Sequence, residues 1–99
     1  MNKLFLVKDV QVGYVGFVYF SVYTNIVTLK DIIRIHHIHI KSTSRGIRYG
    51  TYVINHLKSN ITQKLLKLEL ETHRTNIDAR TFYLKKGFIE ENELIMYHT

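Results

Sequence analysis

Residues 31–41, DIIRIHHIHIK, run directly into residues 42–51, STSRGIRYGT, and then into residues 51–57, TYVINHL. The first part is β-branched and histidine-rich, as strands are. The last part has apolar residues at helical spacing: Tyr49, Val53 and Leu57, with Ile54 beside them. Between them lie Gly46 and Gly50, four apart, with Arg45 and Arg48 alongside. A strand, a glycine-arginine turn and a helix in that order make an anion site. The first backbone N–H groups of a helix are unpaired and carry partial positive charge. Glycine lets a phosphate approach the backbone closely. The same residues also read as a basic surface loop that starts a helix. The pattern is neither the Gly-Lys-Ser/Thr phosphate loop nor the G-x-G-x-x-G dinucleotide fingerprint.

Working outward, residues 3–9 and 12–23 read as two strands, and residues 27–41 as a third, long strand with a kink or bulge. Gly13 and Gly16 mark a bulge or a close backbone approach. The three strands are consecutive and joined by short turns, which predicts an antiparallel meander. Residues 45–59 form the first helix. Residues 64–72 alternate Leu66, Leu68 and Leu70 with Lys67, Glu69 and Glu71, which predicts a strand. Residues 77–86 form a second helix, capped by Asn76 and ended by Gly87 in the left-handed conformation. Ala79, Phe82, Tyr83 and Lys86 share one of its faces. Residues 93–98 close the domain as a strand. The order β-β-β-α-β-α-β gives an α+β fold, three-layer-like in its α/β half, with a mixed sheet. Its strand–helix–strand crossover makes the strands near residues 35 and 68 parallel.

The chain has 99 residues, enough for one domain over residues 1–99, and it contains neither proline nor cysteine. Without cysteine there is no disulfide, no thiolate nucleophile and no Cys-based zinc site. Fourteen Lys and Arg against eight Asp and Glu leave a net charge of +6, which favours an anionic ligand. The basic residues are spread and not gathered, which argues against nucleic acid as the partner. No apolar run approaches the roughly twenty residues that cross a bilayer, so no membrane contact is expected. The start, MNKLFLVKDV, is too short and too soon charged for a signal peptide. A cytoplasmic location is expected.

A second segment, LETHRTNIDARTFYLKKGF over residues 70–88, taken with the glycine-arginine turn, resembles the GNAT-type N-acetyltransferases. That family's turn reads Arg/Gln-x-x-Gly-x-Gly/Ala; here it is Arg45-Gly46-Ile47-Arg48-Tyr49-Gly50, with Arg48 in place of the middle glycine. Its later pattern, Asn-x-x-Ala-x-x-Phe/Leu-Tyr-x-Lys-x-Gly-Phe, is matched at Asn76, Ala79, Phe82, Tyr83, Lys86 or Lys85, Gly87 and Phe88. The resemblance covers residues 10–98. The family usually opens with a further strand and one or two helices, so this chain is expected to be a minimal version or to borrow an acceptor wall from a partner.

The resemblance implies transfer of an acetyl group from acetyl-CoA to a primary amine of a small molecule or peptide, with no metal. It implies a pyrophosphate cradle from Arg45, Gly46, Ile47, Arg48, Tyr49, Gly50 and Thr51. The strand edge at Ile38, His39 and Ile40 would pair with the pantetheine arm, and Asn76 would hydrogen-bond that arm. Tyr83 would be the general acid near the sulfur. By periodicity alone, Tyr83 is equally a core aromatic. The base is expected among His37 and His39, which share a face by alternation, with His36 on the other; Glu71 is a further candidate. The histidines also read as packed or solvated strand residues, and two of them without a third ligand do not make a metal site. The rival function is a non-catalytic CoA-binding or basic nucleic-acid-binding protein of the same fold. An exposed sheet edge makes a homodimer an expectation as well.

Overall fold

The computed structural model describes residues 1–44, 49–73, 75–92 and 94–99. The elements are β1 (Asn2–Asp9), β2 (Gly13–Thr24), β3 (Asp31–Ile40), a 3-10 turn (Ser42–Ser44), α1 (Tyr49–Asn60), β4 (Leu65–Glu71), α2 (Ile77–Lys85), β5 (Ile89–Glu90) and β6 (Ile95–His98). The strands form a single six-stranded sheet in the order β1-β2-β3-β4-β6-β5. β1, β2 and β3 are the expected antiparallel meander. β3 and β4 are the expected parallel pair, with Ile33 opposite Leu68 and Ile35 opposite Leu70.

Both helices contribute to one apolar cluster. Val53, Ile54 and Leu57 of α1 pack with Val15, Val18 and Phe20 of β2, Ile33 and Ile35 of β3, and Leu68 and Leu70 of β4. Phe82 and Tyr83 of α2 pack against the same cluster. Phe20, Ile33, Leu57, Leu68 and Met96 are fully buried. Each fully buried aliphatic or aromatic side chain stabilises the fold by about 1.5–3 kcal/mol relative to exposure.

α2 begins and ends as its sequence predicts. The Asn76 side-chain oxygen accepts from the Ala79 N–H at 3.3 Å, and Gly87 has φ +92°. Gly16 is the close approach anticipated for β2: a Cβ there would overlap the carbonyl of His39 on β3. A register shift interrupts the β1–β2 ladder between Val7 and Lys8.

Two boundaries differ from expectation, and a third lies outside the described residues. β3 starts at Asp31, not at residue 27. The Asn25 side chain accepts the N–H groups of Val27 and Thr28 and Leu29 has φ +58°, so residues 25–30 are a turn despite their β-branched content. A two-residue strand, β5, precedes β6, which starts at Ile95. α1 is described from Tyr49; the expected helix start at residues 45–48 lies outside the described residues.

Candidate active site

The ladder between β3 and β4 runs from Asp31 opposite Leu65 to Ile35 opposite Leu70 and then stops. β3 continues to Ile40, whereas β4 ends at Glu71. The strands therefore part, and β3 has no neighbouring strand on that side from His36 to His39 among the described residues. A cleft of about 200 Å³ opens there. Ile35, His36, His37 and Ile38 form one wall; Leu70, Glu71 and Thr72 of the β4 end and Asn76, Ala79 and Tyr83 of α2 form the other.

A bulge shapes the β3 wall. Tyr19 pairs with His37, but the next residue, Phe20, pairs with Ile35, so His36 has no partner of its own on β2. The extra residue breaks the alternation. The His36 ring stands 5.2 Å from that of Tyr19 and its Nε2 is 2.8 Å from the Ser21 hydroxyl. His37 stacks on Phe17 at 5.4 Å, and His39 flanks the same ring at 5.6 Å. Phe17, Tyr19 and Ser21 alternate along one face of β2. All three histidines thus share that face, contrary to the simple alternation that set His36 apart.

Tyr83 faces the cleft from α2, wedged against Phe82 and Phe88, each ring centre 5.3 Å away. Burial pushes its phenol above the ordinary value. Among the described residues its hydroxyl has no hydrogen-bond partner. His37, Ile38, Asn76 and Tyr83 are therefore brought together, while His39 and Ile40 lie further along β3, off the cleft wall.

The expected phosphate cradle is described only in part. Arg45, Gly46, Ile47 and Arg48 lie outside the described residues. Tyr49 opens α1 and its hydroxyl donates to Asp9 Oδ2 at 2.7 Å, pinning the β1–β2 turn to the helix start. That bond raises the Tyr49 phenol. With the backbone N–H groups of Gln11 and Val12, it also holds the Asp9 carboxyl below its usual value. Gly50 faces the Phe82 ring, and Thr51 is half-buried.

Beside the cleft, on the face bearing the histidines, lies a charged network that no motif signals. Glu69 of β4 is buried, with a side chain 7% exposed. Its Oε1 accepts from the Tyr23 hydroxyl at 2.7 Å and from Arg34 Nη1 at 3.1 Å, and its Oε2 pairs with Lys67 at 3.3 Å. Burial pushes the Glu69 carboxyl up, but the hydrogen bonds from Tyr23, Arg34 and Lys67 outweigh it and hold it below its usual value. Burial, with the bond to Glu69, pushes the Tyr23 phenol up to about 12. The same Arg34 reaches Glu71 Oε2 at 3.1 Å, so the Glu71 carboxylate at the cleft mouth is ion-paired. The signal that would have found Glu69 is its register opposite Arg34 on the parallel strand.

The model of the acetyltransferase (GNAT) family matches residues 2–88. This chain is a member of the GNAT acetyltransferase family. Members are typically acetyl-CoA-dependent N-acetyltransferases. Solved structures share the fold. A ribosomal-protein-alanine N-acetyltransferase from Brucella melitensis biovar Abortus 2308 is 23% identical with a TM-score of 0.76, over 92% of this chain and 66% of that one. The spermidine/spermine N-acetyltransferase of Vibrio cholerae is 22% identical with a TM-score of 0.73, over 98% and 66%. Naa50 of Arabidopsis thaliana, solved with the bisubstrate analogue CoA-Ac-MVNAL, is 19% identical with a TM-score of 0.73, over 87% and 66%. The chain spans from 58% to 67% of the length of the first solved chains that it resembles. No curated protein matches it. No helix among the described residues is long and apolar enough to cross a membrane.

Proposed function

We propose that this chain transfers an acetyl group from acetyl-CoA to a primary amine of a small molecule or peptide, by direct attack with both substrates bound. The observation that carries the reading is the parting of β3 and β4 beyond Ile35 and Leu70, with the Tyr83 hydroxyl, unpartnered among the described residues, on the facing wall.

Acetyl-CoA supplies the activated thioester when bound. The residues present suit it: a cleft, a run of β3 backbone from His36 to His39 with no strand beside it among the described residues, and a partly buried phenol. Backbone N–H and C=O groups of β3 between Ile35 and Ile40 offer hydrogen bonds to an extended, amide-containing arm, as an added strand would use them. Asn76 and Ala79 form the floor at the start of α2. Arg45, Gly46, Ile47 and Arg48, followed by the α1 N-terminus at Tyr49, Gly50 and Thr51, would receive the diphosphate.

In the reaction the amine nitrogen bonds to the acetyl carbon and the carbon–sulfur bond breaks. One proton leaves the amine, and one must reach the sulfur. The His37 imidazole takes the first, since imidazole is a competent base near neutral pH. Tyr83 Oη delivers the second, since a phenol held protonated by burial is an acid at the pH where the enzyme works. His36 is less suited to the base role because its Nε2 is engaged with Ser21.

A thermal shift with acetyl-CoA tests the reading. A ligand at a hundred times its Kd stabilises the folded state by about 2.7 kcal/mol, so the melting temperature rises. Release of CoA thiol in the presence of an amine library then tests turnover. No shift at saturating acetyl-CoA overturns the proposal; a shift without turnover of any amine leaves a CoA-binding protein.

A further inference from the structure

His36 has two neighbourhoods. It lines the cleft between β3 and α2, and its Nε2 lies 2.8 Å from the Ser21 hydroxyl on β2. We propose that Ser21 is an acetyl acceptor within the chain, a nucleophile that takes the acetyl group of acetyl-CoA while His36 takes its proton. The proposal rests on the acetyl-CoA reading for its donor and on the Ser21–His36 contact for its nucleophile.

The sheet builds the pair. Ser21 stands opposite Arg34 on β3. His36 lies two residues further along and, as the bulged residue, has no partner of its own on β2. Its ring leans back over β2, where Tyr19 flanks it at 5.2 Å and Ser21 meets its Nε2. The cleft reaches both faces of β3. Ile35 and Ile38 border it from the core side, His36 and His37 from the face that also carries Ser21. Neighbouring strands lie about 4.8 Å apart, so Ser21 stands one strand spacing behind the cleft wall.

A serine hydroxyl is a poor nucleophile until a base takes its proton, and an imidazole within about 2.6–3.2 Å is the arrangement that does so. With the ring proton on Nδ1, the His36 Nε2 accepts the Ser21 O–H. Oγ then bonds to the acetyl carbon and the carbon–sulfur bond breaks. Nε2 takes the Oγ proton, and the sulfur takes a proton from Tyr83, as in transfer to an amine. The products are O-acetyl-Ser21 and CoA thiol. Among the described residues no carboxylate bonds the His36 ring, so the pair lacks the third member of a triad and suits a single slow modification more than turnover. The ester has no O–H to donate, so the modification also releases the His36 imidazole at the cleft wall.

Other hydroxyls are worse placed. Thr75 makes a similar contact with His73 Nδ1 at 2.7 Å, but that nitrogen also accepts the Thr75 N–H, and neither residue lines the cleft. The Tyr23 hydroxyl donates to Glu69, and burial with that bond raises its phenol to about 12, so it keeps its proton.

The probe p-nitrophenyl acetate carries an activated acetyl group with no CoA moiety and tests the nucleophile alone. Peptide mapping by mass spectrometry should place an acetyl group on Ser21, as an ester that hydroxylamine removes; lysine amides resist it. Ser21→Ala should lose that label. His36→Gln should slow it roughly tenfold or more, with the melting temperature of both variants close to that of the unmodified chain. Acetyl-CoA should then give the same ester. The map of the unmodified chain decides the site even where a variant folds poorly. No ester at Ser21 with p-nitrophenyl acetate overturns the proposal, whatever acetyl-CoA does to the melting temperature. So does labelling that is indifferent to His36→Gln. A thermal shift with acetyl-CoA but no Ser21 ester from it also overturns the proposal and leaves the acetyl-CoA reading standing. An ester from p-nitrophenyl acetate, with neither shift nor ester from acetyl-CoA, retains Ser21 as a nucleophile and overturns the acetyl-CoA reading that names its donor.

Discussion

Gly50 of α1 and Phe82 of α2 face each other so closely that a Cβ on Gly50 would stand 3.1 Å from the tip of the Phe82 ring. The glycine that reads as part of a phosphate turn thus also lets two helices approach. An added methyl asks the ring to yield by tenths of an ångström, while alanine favours the helix over glycine by about 1 kcal/mol. Gly50→Ala should therefore leave stability nearly unchanged. Gly50→Leu should overpack the contact and lower stability by about 1–3 kcal/mol. Urea unfolding of both variants checks this; equal stability for the two would mean that Phe82 moves freely.

Tyr83→Phe removes the one hydroxyl on the α2 wall of the cleft and keeps the ring packed between Phe82 and Phe88. Melting temperature and the shift with acetyl-CoA should persist, while kcat falls roughly 100-fold or more, as for loss of a general acid. Because burial raises this phenol, it stays protonated through neutral pH, and its ionisation should not depress kcat below about pH 10. Full activity in the phenylalanine variant would remove Tyr83 from the chemistry.

The base is decided by comparing two neighbours. His37 and Glu71 both line the cleft, but Glu71 is tied to Arg34. His37→Gln should lower kcat about 100-fold at neutral pH. Glu71→Gln should leave kcat close to that of the unmodified chain. The opposite pattern would assign the proton to Glu71.

Stability should fall at both pH extremes through the Tyr23–Glu69 pair. The Glu69 carboxyl is held below its ordinary 4.5 in the folded chain. Its contribution is therefore present above that pH and lost as acid titrates through the lower, folded value. The Tyr23 phenol is raised from 10 to about 12, so its contribution is present below pH 10 and lost as the pH rises towards 12. Glu69→Gln, which weakens a buried hydrogen-bonded network, should cost about 1–3 kcal/mol at neutral pH and flatten the acid limb. Tyr23→Phe should flatten the alkaline limb. Denaturation midpoints measured across the pH range test both; an acid limb unchanged in Glu69→Gln would place the titrating group elsewhere.

Local signals carried most of the fold. The meander, both helices, the parallel crossover, the Asn76 cap and the Gly87 stop follow from periodicity and capping within a few residues. What escaped depends on pairing across the sheet. A kink in β3 was legible from its length, but its position at His36, and hence the faces of the histidines, is set by the offset between Tyr19 and Phe20. Glu69 alternates like a solvent residue and is buried because Arg34, 35 residues earlier, arrives opposite it. Residues 27–30 carry strand-like side chains, yet the Asn25 side chain bonds the backbone into a turn first. At the cleft, Asn76 and Tyr83 of the motif lie on the α2 wall, while the β3 wall runs from Ile35 to Ile38 and overlaps the expected edge at Ile38.

The odd residue at His36 is a spare in the count of β3. His36 and His37 both stand on the outer face, so excising His36 would restore strict parity and leave everything downstream in place: His37 would follow Ile35 and still oppose Tyr19, and Ile38 would still lie against the core. Swapping His36 for alanine sacrifices only its bond to Ser21 and its contact with Tyr19. A one-codon deletion of His36 should thus yield soluble protein, as the alanine replacement does, so that the bulge shapes the cleft wall without the fold depending on it.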